Sequence, residues 1–416
     1  MTSAPTTARA EADRCPGVLR PHRAADGALL RLRLPGGRVS AAALAALSAA
    51  AQRYADGDIQ LTSRANLQLR GVATGASGAV AAGLVDDVVA AGFLPQPSHE
   101  RIRNIVCSPL TGLLGGRSDL RGLTRLLDEK LCAAVDLANL PGPFLFVLDD
   151  GRRDVIGLKG DLGVCAVGAK AVRVRVGAFL VGPALPHDAA ADALIDLAAR
   201  FLPFTQETDG SRPVWHVREL PLGGRELLPS SWEVDLLPSK SGRPAQFGGL
   251  RQDNGLAVLS VLVPLGLLTG DQAAALVLAA EGGNGELIVT PWRSILVPGL
   301  PPSTAAGLVG QLSEVGLELT AEPSWRGITA CTGAPRCAHG VGETRPLAAA
   351  IAGRRAVAEV PGAGAVHVVG CERRCGSPNA EHIEVLNLGA MAQLTRDGSV
   401  VEVPTAAVPS LAGVGG

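Results

Sequence analysis

Gly57–Gly71 reads GDIQLTSRANLQLRG, and Gly285–Gly299 reads GELIVTPWRSILVPG. The two superpose without a gap and share, in the same order, a glycine, an acidic residue, two aliphatic positions and a threonine. The match extends outward in both directions. Upstream, Leu29–Leu47 and Val258–Leu278 each run from an apolar stretch through a Pro/Gly turn into a helix, opened by Ser40 in one and by Thr269 in the other. Thr269 with Gln272 has the spacing of a capping box, in which each side chain satisfies a backbone N–H that the first helical turn leaves bare. Downstream, AAGLVDDVVAAGF (Ala81–Phe93) parallels AAGLVGQLSEVGL (Ala305–Leu317), and RNIVCSPLTG (Arg103–Gly112) parallels RGITACTGAP (Arg326–Pro335). The chain therefore reads as an α+β duplication, a β-α-β-β-α unit with a further α/β segment in each copy. Two such copies pack about a pseudo-twofold axis, and the cleft between them is where a ligand is expected.

The 416 residues suit two to four domains. Hydrophobic residues make up 47%, enough for sizeable cores, and aromatics at 3% leave those cores to Ala, Val and Leu. A formal net charge of −1 provides no field that would gather nucleic acid or an anionic membrane, so an anionic ligand must be gripped by particular arginines. Residues 1–24 are polar and read as a flexible leader without the apolar run of a signal peptide. The most apolar stretch, Leu256–Ala280, is interrupted by Ser260, Pro264, Gly266 and Thr269–Gln272. It falls short of the roughly 20 apolar residues that cross a membrane. A soluble cytoplasmic protein with neither a membrane nor a nucleic-acid partner is the expectation. In that reducing compartment the eight cysteines are not expected to form structural disulfides, and clustered ones read as metal ligands or catalytic. Cys15, Cys107, Cys132 and Cys165 are scattered and read as plain thiols.

From Ile59 to Arg70 the sequence alternates like one strand. Ile59, Leu61, Ser63, Ala65, Leu67 and Leu69 share a face, and Gln60, Thr62, Arg64, Asn66, Gln68 and Arg70 share the other. A solvated strand face is the plain reading of that polar side. Two arginines with Asn and Gln also suit planar carboxylates, which a guanidinium grips through two parallel N–H bonds. The second copy puts Ile288, Thr290, Trp292, Ser294, Leu296 and Pro298 in the equivalent places and lacks that polarity, as expected if unlike halves share one ligand.

Four further cysteines stand together as Cys331-x5-Cys337 and Cys371-x3-Cys375. Structural zinc knuckles favour tighter spacing, whereas an iron–sulfur cluster also takes four thiolates and, being larger, tolerates wider spacing. Spacing alone leaves cluster, zinc and coincidence open. Val366–Val369 reads as a strand delivering Cys371 into a loop, while Thr329, Thr332 and Gly333 surround Cys331 with small groups. Arg336, Arg373 and Arg374 are placed to offset the negative charge of thiolates and cluster.

Taken together, Leu34-PGG, Leu61-TSRANLQLRG, Arg103-NIVCSPLTG and the two cysteine pairs resemble the nitrite/sulfite reductase superfamily over roughly residues 25–390. The resemblance implies a duplicated repeat in which each copy is a ferredoxin-like half-domain plus an α/β domain for cluster or tetrapyrrole. The units are a first half-domain at 25–96, a first α/β domain at 97–202, a linker at 203–250, a second half-domain at 251–320 and a cluster-carrying α/β domain at 321–416. Cys331, Cys337, Cys371 and Cys375 would hold a [4Fe-4S] cluster, with Cys375 bridging to the iron of a sirohaem. Arg33, Arg64 and Arg103 fall where family arginines line the tetrapyrrole and its anion pocket, and Asn66, Gln68 and Asn104 join them as candidate substrate-binding residues. Two features depart from the sulfite reductases. Their L-P-x-K-F-K segment, which helps bind sulfite, is here Leu140-PGPFLF with Pro143 in place of the first lysine. Their C-P-N-x-C is here Cys371-ERR-Cys375. Both departures resemble the cobalamin-pathway branch, the precorrin-3B synthases. That likeness implies oxygen-dependent hydroxylation and lactone formation on a metal-free tetrapyrrole, precorrin-3A, with O2 and an electron donor, NADH or a reductase. It also implies a separate mononuclear non-haem iron. His339, His367, Glu372, His382 and Glu384 lie near the cysteines without being assigned to that iron, and no catalytic residue is assigned. A sirohaem-dependent sulfite or nitrite reductase is the alternative.

Overall fold

A computed structural model of the chain describes residues 13, 15–206, 213–238, 242, 246–358, 364–378 and 381–413. The first half-domain comprises β1 (His22–Ala24), β2 (Gly27–Leu32), β3 (Arg38–Ser40), α1 (Ala41–Tyr54), β4 (Ile59–Leu61), β5 (Leu67–Val72) and α2 (Ala82–Ala90). The first α/β domain follows with β6 (Ile105–Cys107), α3 (Arg121–Ala133), β7 (Phe146–Asp149), β8 (Leu162–Gly168), β9 (Ala171–Val176), β10 (Phe179–Leu185), α4 (His187–Phe201) and β11 (Val234–Leu236). The second half-domain repeats the first as β12 (Gly248–Arg251), β13 (Ala257–Leu262), β14 (Leu267–Leu268), α5 (Gly270–Glu281), β15 (Glu286–Val289), β16 (Ser294–Leu300) and α6 (Pro302–Glu314). The last unit contains β17 (Ile328–Ala330), α7 (Thr344–Ala358), β18 (Val366–Val369), β19 (Ile383–Asn387), β20 (Met391–Arg396), β21 (Ser399–Pro404) and α8 (Val408–Gly413).

The duplication is visible in the strand pairing. The half-domain sheets run β1-β2-β5-β4-β14 and β12-β13-β16-β15-β3. Each ends on a short strand lent by the other half, with Leu267 opposite Gln60 and Val39 opposite Leu287. This exchange is reciprocal, as a pseudo-twofold relation requires. Helices α1 and α5 pack on each other, and one core runs through both halves. The two helices start as their sequences require: Ser40 Oγ accepts from the Ala43 N–H, and Thr269 and Gln272 make both bonds of the capping box. The α/β domains share a second pattern. Strands β6, β7 and β8 are parallel and then turn antiparallel into β9, just as β17, β18 and β19 do into β20.

Three expectations are corrected. Ile59–Arg70 is not one strand but a hairpin, because the chain reverses at Thr62–Asn66. The Thr62 Oγ accepts from the N–H groups of Arg64 and Asn66, and Ala65 takes a left-handed φ of 55°. The stretch 203–250 is not a free linker: Val217, Leu220 and Leu227 are buried in the core of the first α/β domain, and β11 adds an edge strand to its sheet. Within the leader, residues 1–12 and 14 lie outside the described residues, but from Cys15 onward the chain is packed. Val18 is buried, its N–H and that of Leu19 donate to Glu100, and β1 pairs with β2.

Candidate active-site cleft

Arg31, Gln68, Gln60 and Leu267 stand directly opposite one another across β2, β5, β4 and β14. Their side chains therefore form one row on one sheet face. Arg31 donates to Gln68 at 3.0 Å, and the Gln68 amide donates to Gln60 at 2.8 Å. This row lines a cleft of about 350 Å3 whose other walls include Leu265, Gly266 and Arg293 from the second half and Cys331, Thr332, Arg345, Cys375 and Gly376 from the last domain. Among the described residues three guanidiniums line it and no carboxylate does. Burial lowers the pKa of each, Arg31, Arg293 and Arg345.

The cysteine motifs reach this cleft through the parallel strands. Cys331 follows β17 and Cys371 follows β18 one residue removed, and the strands pair with Ala330 opposite Val368. Both pairs of cysteines thus leave from carboxyl ends of neighbouring parallel strands, where α/β folds collect ligands. The Gly370 N–H donates to the Cys331 sulfur at 3.3 Å. Burial pushes the Cys331 thiol up, the N–H groups of Gly370 and Gly333 pull it down, and Cys371 and Cys375 are near enough to raise it further. Cys337 lies in the same loop as Cys331, turned by a bond from the Gly340 N–H to its carbonyl. An N–H donor at the Cys331 sulfur, with Cys371 and Cys375 in electrostatic reach and a loop where a side chain on Gly333, Gly340 or Gly370 would crowd its neighbours, is chemistry that suits an iron–sulfur cluster. His367 is tied down rather than free. Its Nε2 bonds the Cys375 carbonyl at 3.1 Å and its Nδ1 the Thr329 hydroxyl at 2.8 Å, and burial lowers its pKa to about 4. The neutral ring therefore donates from Nε2 and accepts at Nδ1.

Of the residues proposed from sequence for the carboxylates, Gln68 lines the cleft and the others are engaged elsewhere. Asn66 accepts from the Leu34 N–H and donates to Asn104, which itself donates to the carbonyls of Gly142 and Phe144. Arg103 makes two bonds to Asp128. Arg64 donates to the carbonyl of Pro143. Arg33 is 2% exposed, with burial lowering its pKa to about 9; one nitrogen donates to the carbonyls of Pro16 and Arg31, and the other two have no partner among the described residues. Near the cysteines, Arg336 is paired with Asp56 and Arg374 with Glu384, so their charge is already answered. His339 and Glu372 are exposed, and no three His, Cys, Asp or Glu among the described residues converge as ligands of one metal ion. The separate iron implied by the resemblance thus has no ligand set among them. Arg31, Arg293 and Arg345 were missed. Arg31 lies in β2, two residues before Arg33, which follows the strand, whereas nothing in local sequence aims Arg293 or Arg345 at a site.

The pseudo-symmetric cleft is filled. Its row reads Ser260, Leu296, Ile288 and Arg38. Leu110 and Leu113, from the loop after β6, pack on Val258, Ile288 and Leu296.

Residues 20–86 and 249–315 match the nitrite/sulfite reductase ferredoxin-like half domain. The two matched stretches are the two half-domain copies of the repeat described above. The ferredoxin–nitrite reductase of Synechococcus elongatus is 28% identical over 90% of this chain and 78% of its own length. The precorrin-3B synthase of a Sinorhizobium species is 25% identical over 94% of this chain and 84% of its own. The solved Mycobacterium tuberculosis NirA protein superposes with a TM-score of 0.72 at 17% identity, covering 92% of this chain and 79% of that one. The likeness to that solved structure shows a shared duplicated fold, with the two matched stretches falling on the two copies of the repeat. No helix among the described residues is long and apolar enough to cross a membrane.

Proposed function

We propose that this chain is a cytoplasmic oxidoreductase that takes a carboxylated, metal-free tetrapyrrole as substrate and works as a precorrin-3B synthase. The observation that carries the reading is the open cleft walled by three guanidiniums and, among the described residues, no carboxylate, and bordered by two of the four clustered cysteines. Cys331, Cys337, Cys371 and Cys375 would hold a [4Fe-4S] cluster, which when bound supplies single-electron transfer. The arginines neutralise and orient the acidic side chains of the macrocycle, and the Arg31–Gln68–Gln60 chain sets the spacing of donors along one wall. The Leu140–Phe146 segment supports the departure from sulfite chemistry: it holds no lysine, and Pro143 turns its carbonyl to Arg64 instead. In the balanced reaction one oxygen atom of O2 enters the product and the other leaves as water, with two electrons from NADH or a reductase. A sirohaem-dependent nitrite reductase is the second reading, favoured by the similarity to the Synechococcus enzyme. Anaerobically purified protein given precorrin-3A, a reductant and isotopically labelled O2 should give a lactone heavier by one labelled oxygen. Sirohaem bands in the purified protein together with nitrite reduction would replace this reading with the second.

A further inference from the structure

We infer that Arg293 forms a carboxylate-binding subsite on the second-half wall of the cleft, where the other copy of the repeat has an alanine. The inference rests on the cleft being a ligand site and adds which residue of the second half takes a negative charge there. Arg293 sits in the turn Thr290–Ser294, the counterpart of Thr62–Asn66, and occupies the position of Ala65. Both residues take the left-handed conformation, with φ of 60° at Arg293 and 55° at Ala65. The turn does not need an arginine. In each copy the threonine oxygen holds it, Thr290 accepting from Trp292 and Ser294 as Thr62 does from Arg64 and Asn66.

Nor does the fold gain from this side chain. Left-handed backbone disfavours a long side chain, and the guanidinium makes no hydrogen bond or ion pair with the described residues. Its stem lies against Gly266, where an added Cβ would stand 2.8 Å from the Arg293 Cδ. Gly266 therefore leaves the space along which the arginine reaches the cleft, and both residues line it together with Cys331 and Cys375. A half-buried cation on a strained turn, with no hydrogen-bond partner among the described residues, suits an acceptor brought by the ligand. Two sources supply that chemistry, a carboxylate of the macrocycle or a free oxyanion.

The test titrates the full-length, anaerobically purified protein with uroporphyrin, with its methyl ester and with nitrite, comparing wild type, Arg293→Gln, Arg293→Gly and Arg31→Gln. Wild type should bind the acid and not the ester, and both Arg293 variants should bind it about ten- to a hundredfold more weakly, as for one lost charge-assisted contact. Arg293→Gly should unfold at the same or a higher temperature, because glycine relieves the left-handed backbone. Binding of the acid unchanged in both Arg293 variants but weakened in Arg31→Gln would overturn the subsite and leave the cleft reading intact. Arg293-dependent binding of nitrite by a wild type that ignores uroporphyrin would keep the subsite and sink the macrocycle reading. A wild type that binds neither anion would overturn both.

Discussion

Cys331 accepts a backbone N–H at its sulfur, lies within electrostatic reach of Cys371 and Cys375 and borders the cleft. Replacing any of Cys331, Cys337, Cys371 or Cys375 with serine should remove most cluster iron and sulfide, measured on anaerobically prepared protein. Cys15→Ser should retain them, and zinc at these four thiolates would reject the assignment. A second residue-scale expectation concerns Asp154, buried beside Asp149 and Asp150 and hydrogen-bonded by the Ser108 hydroxyl at 2.6 Å. Burial raises its pKa from 3.8 to about 6. With the folded value above the unfolded one, its contribution is fully present below the unfolded value and is lost as pH rises through about 6. Thermal unfolding of wild type against Asp154→Asn should therefore show the variant gaining relative stability between about pH 4 and pH 7; parallel curves would contradict this. Residue roles were the least legible part of the sequence. The motif positions of Arg103 and Asn66 are plain in the repeat, but Asp128 and Asn104 engage them from elsewhere in the chain. No local pattern encodes such partners.

Alternation could not separate one strand from a hairpin in Ile59–Arg70, for a definite reason. Gln60 and Gln68 are an even number of residues apart, so a chain that turns back between them still puts both on one face, and the register sets them opposite each other. Gln60 and Gln68 keep their shared face, whereas Arg64 and Asn66 fall in the turn and are bound elsewhere. Strands β3 and β14 escaped reading because three and two residues carry no periodicity. They nevertheless tie the halves together. Gly37, with a left-handed φ of 74°, precedes β3, and a side chain there would collide with the Val289 carbonyl of the opposite half. Gly37→Ala should destabilise the protein by more than about 1 kcal/mol, seen as a lower denaturation midpoint. An unchanged midpoint would mean that the exchanged strand can shift without loss.

Over the whole molecule, duplication was the most legible feature because it repeats capping, turn and strand signals together, and its asymmetry marks out the candidate site. One cleft keeps Arg31, Gln68 and Gln60 and stays open, whereas its counterpart carries Ser260, Leu296 and Ile288 and is filled by Leu110 and Leu113. The loop after β6 thus serves as core, while the equivalent loop after β17 carries cysteines. These roles separate by mutation. Leu110→Ala removes a side chain that is 3% exposed and should lower stability by about 2–5 kcal/mol, because the pocket it leaves cannot close fully. Cluster content and uroporphyrin affinity should hardly change, since Leu110 lies in the filled cleft. Gln68→Leu should act in the opposite sense. It breaks the hydrogen-bonded chain from Arg31 to Gln60 on a wall that faces the ligand, so binding should weaken about tenfold for one lost contact while the unfolding temperature holds. Calorimetric unfolding and anaerobic titration on the same two variants decide it. Loss of binding in Leu110→Ala with an intact fold, alongside normal binding in Gln68→Leu, would put the ligand in the other half and reverse the reading of the asymmetry.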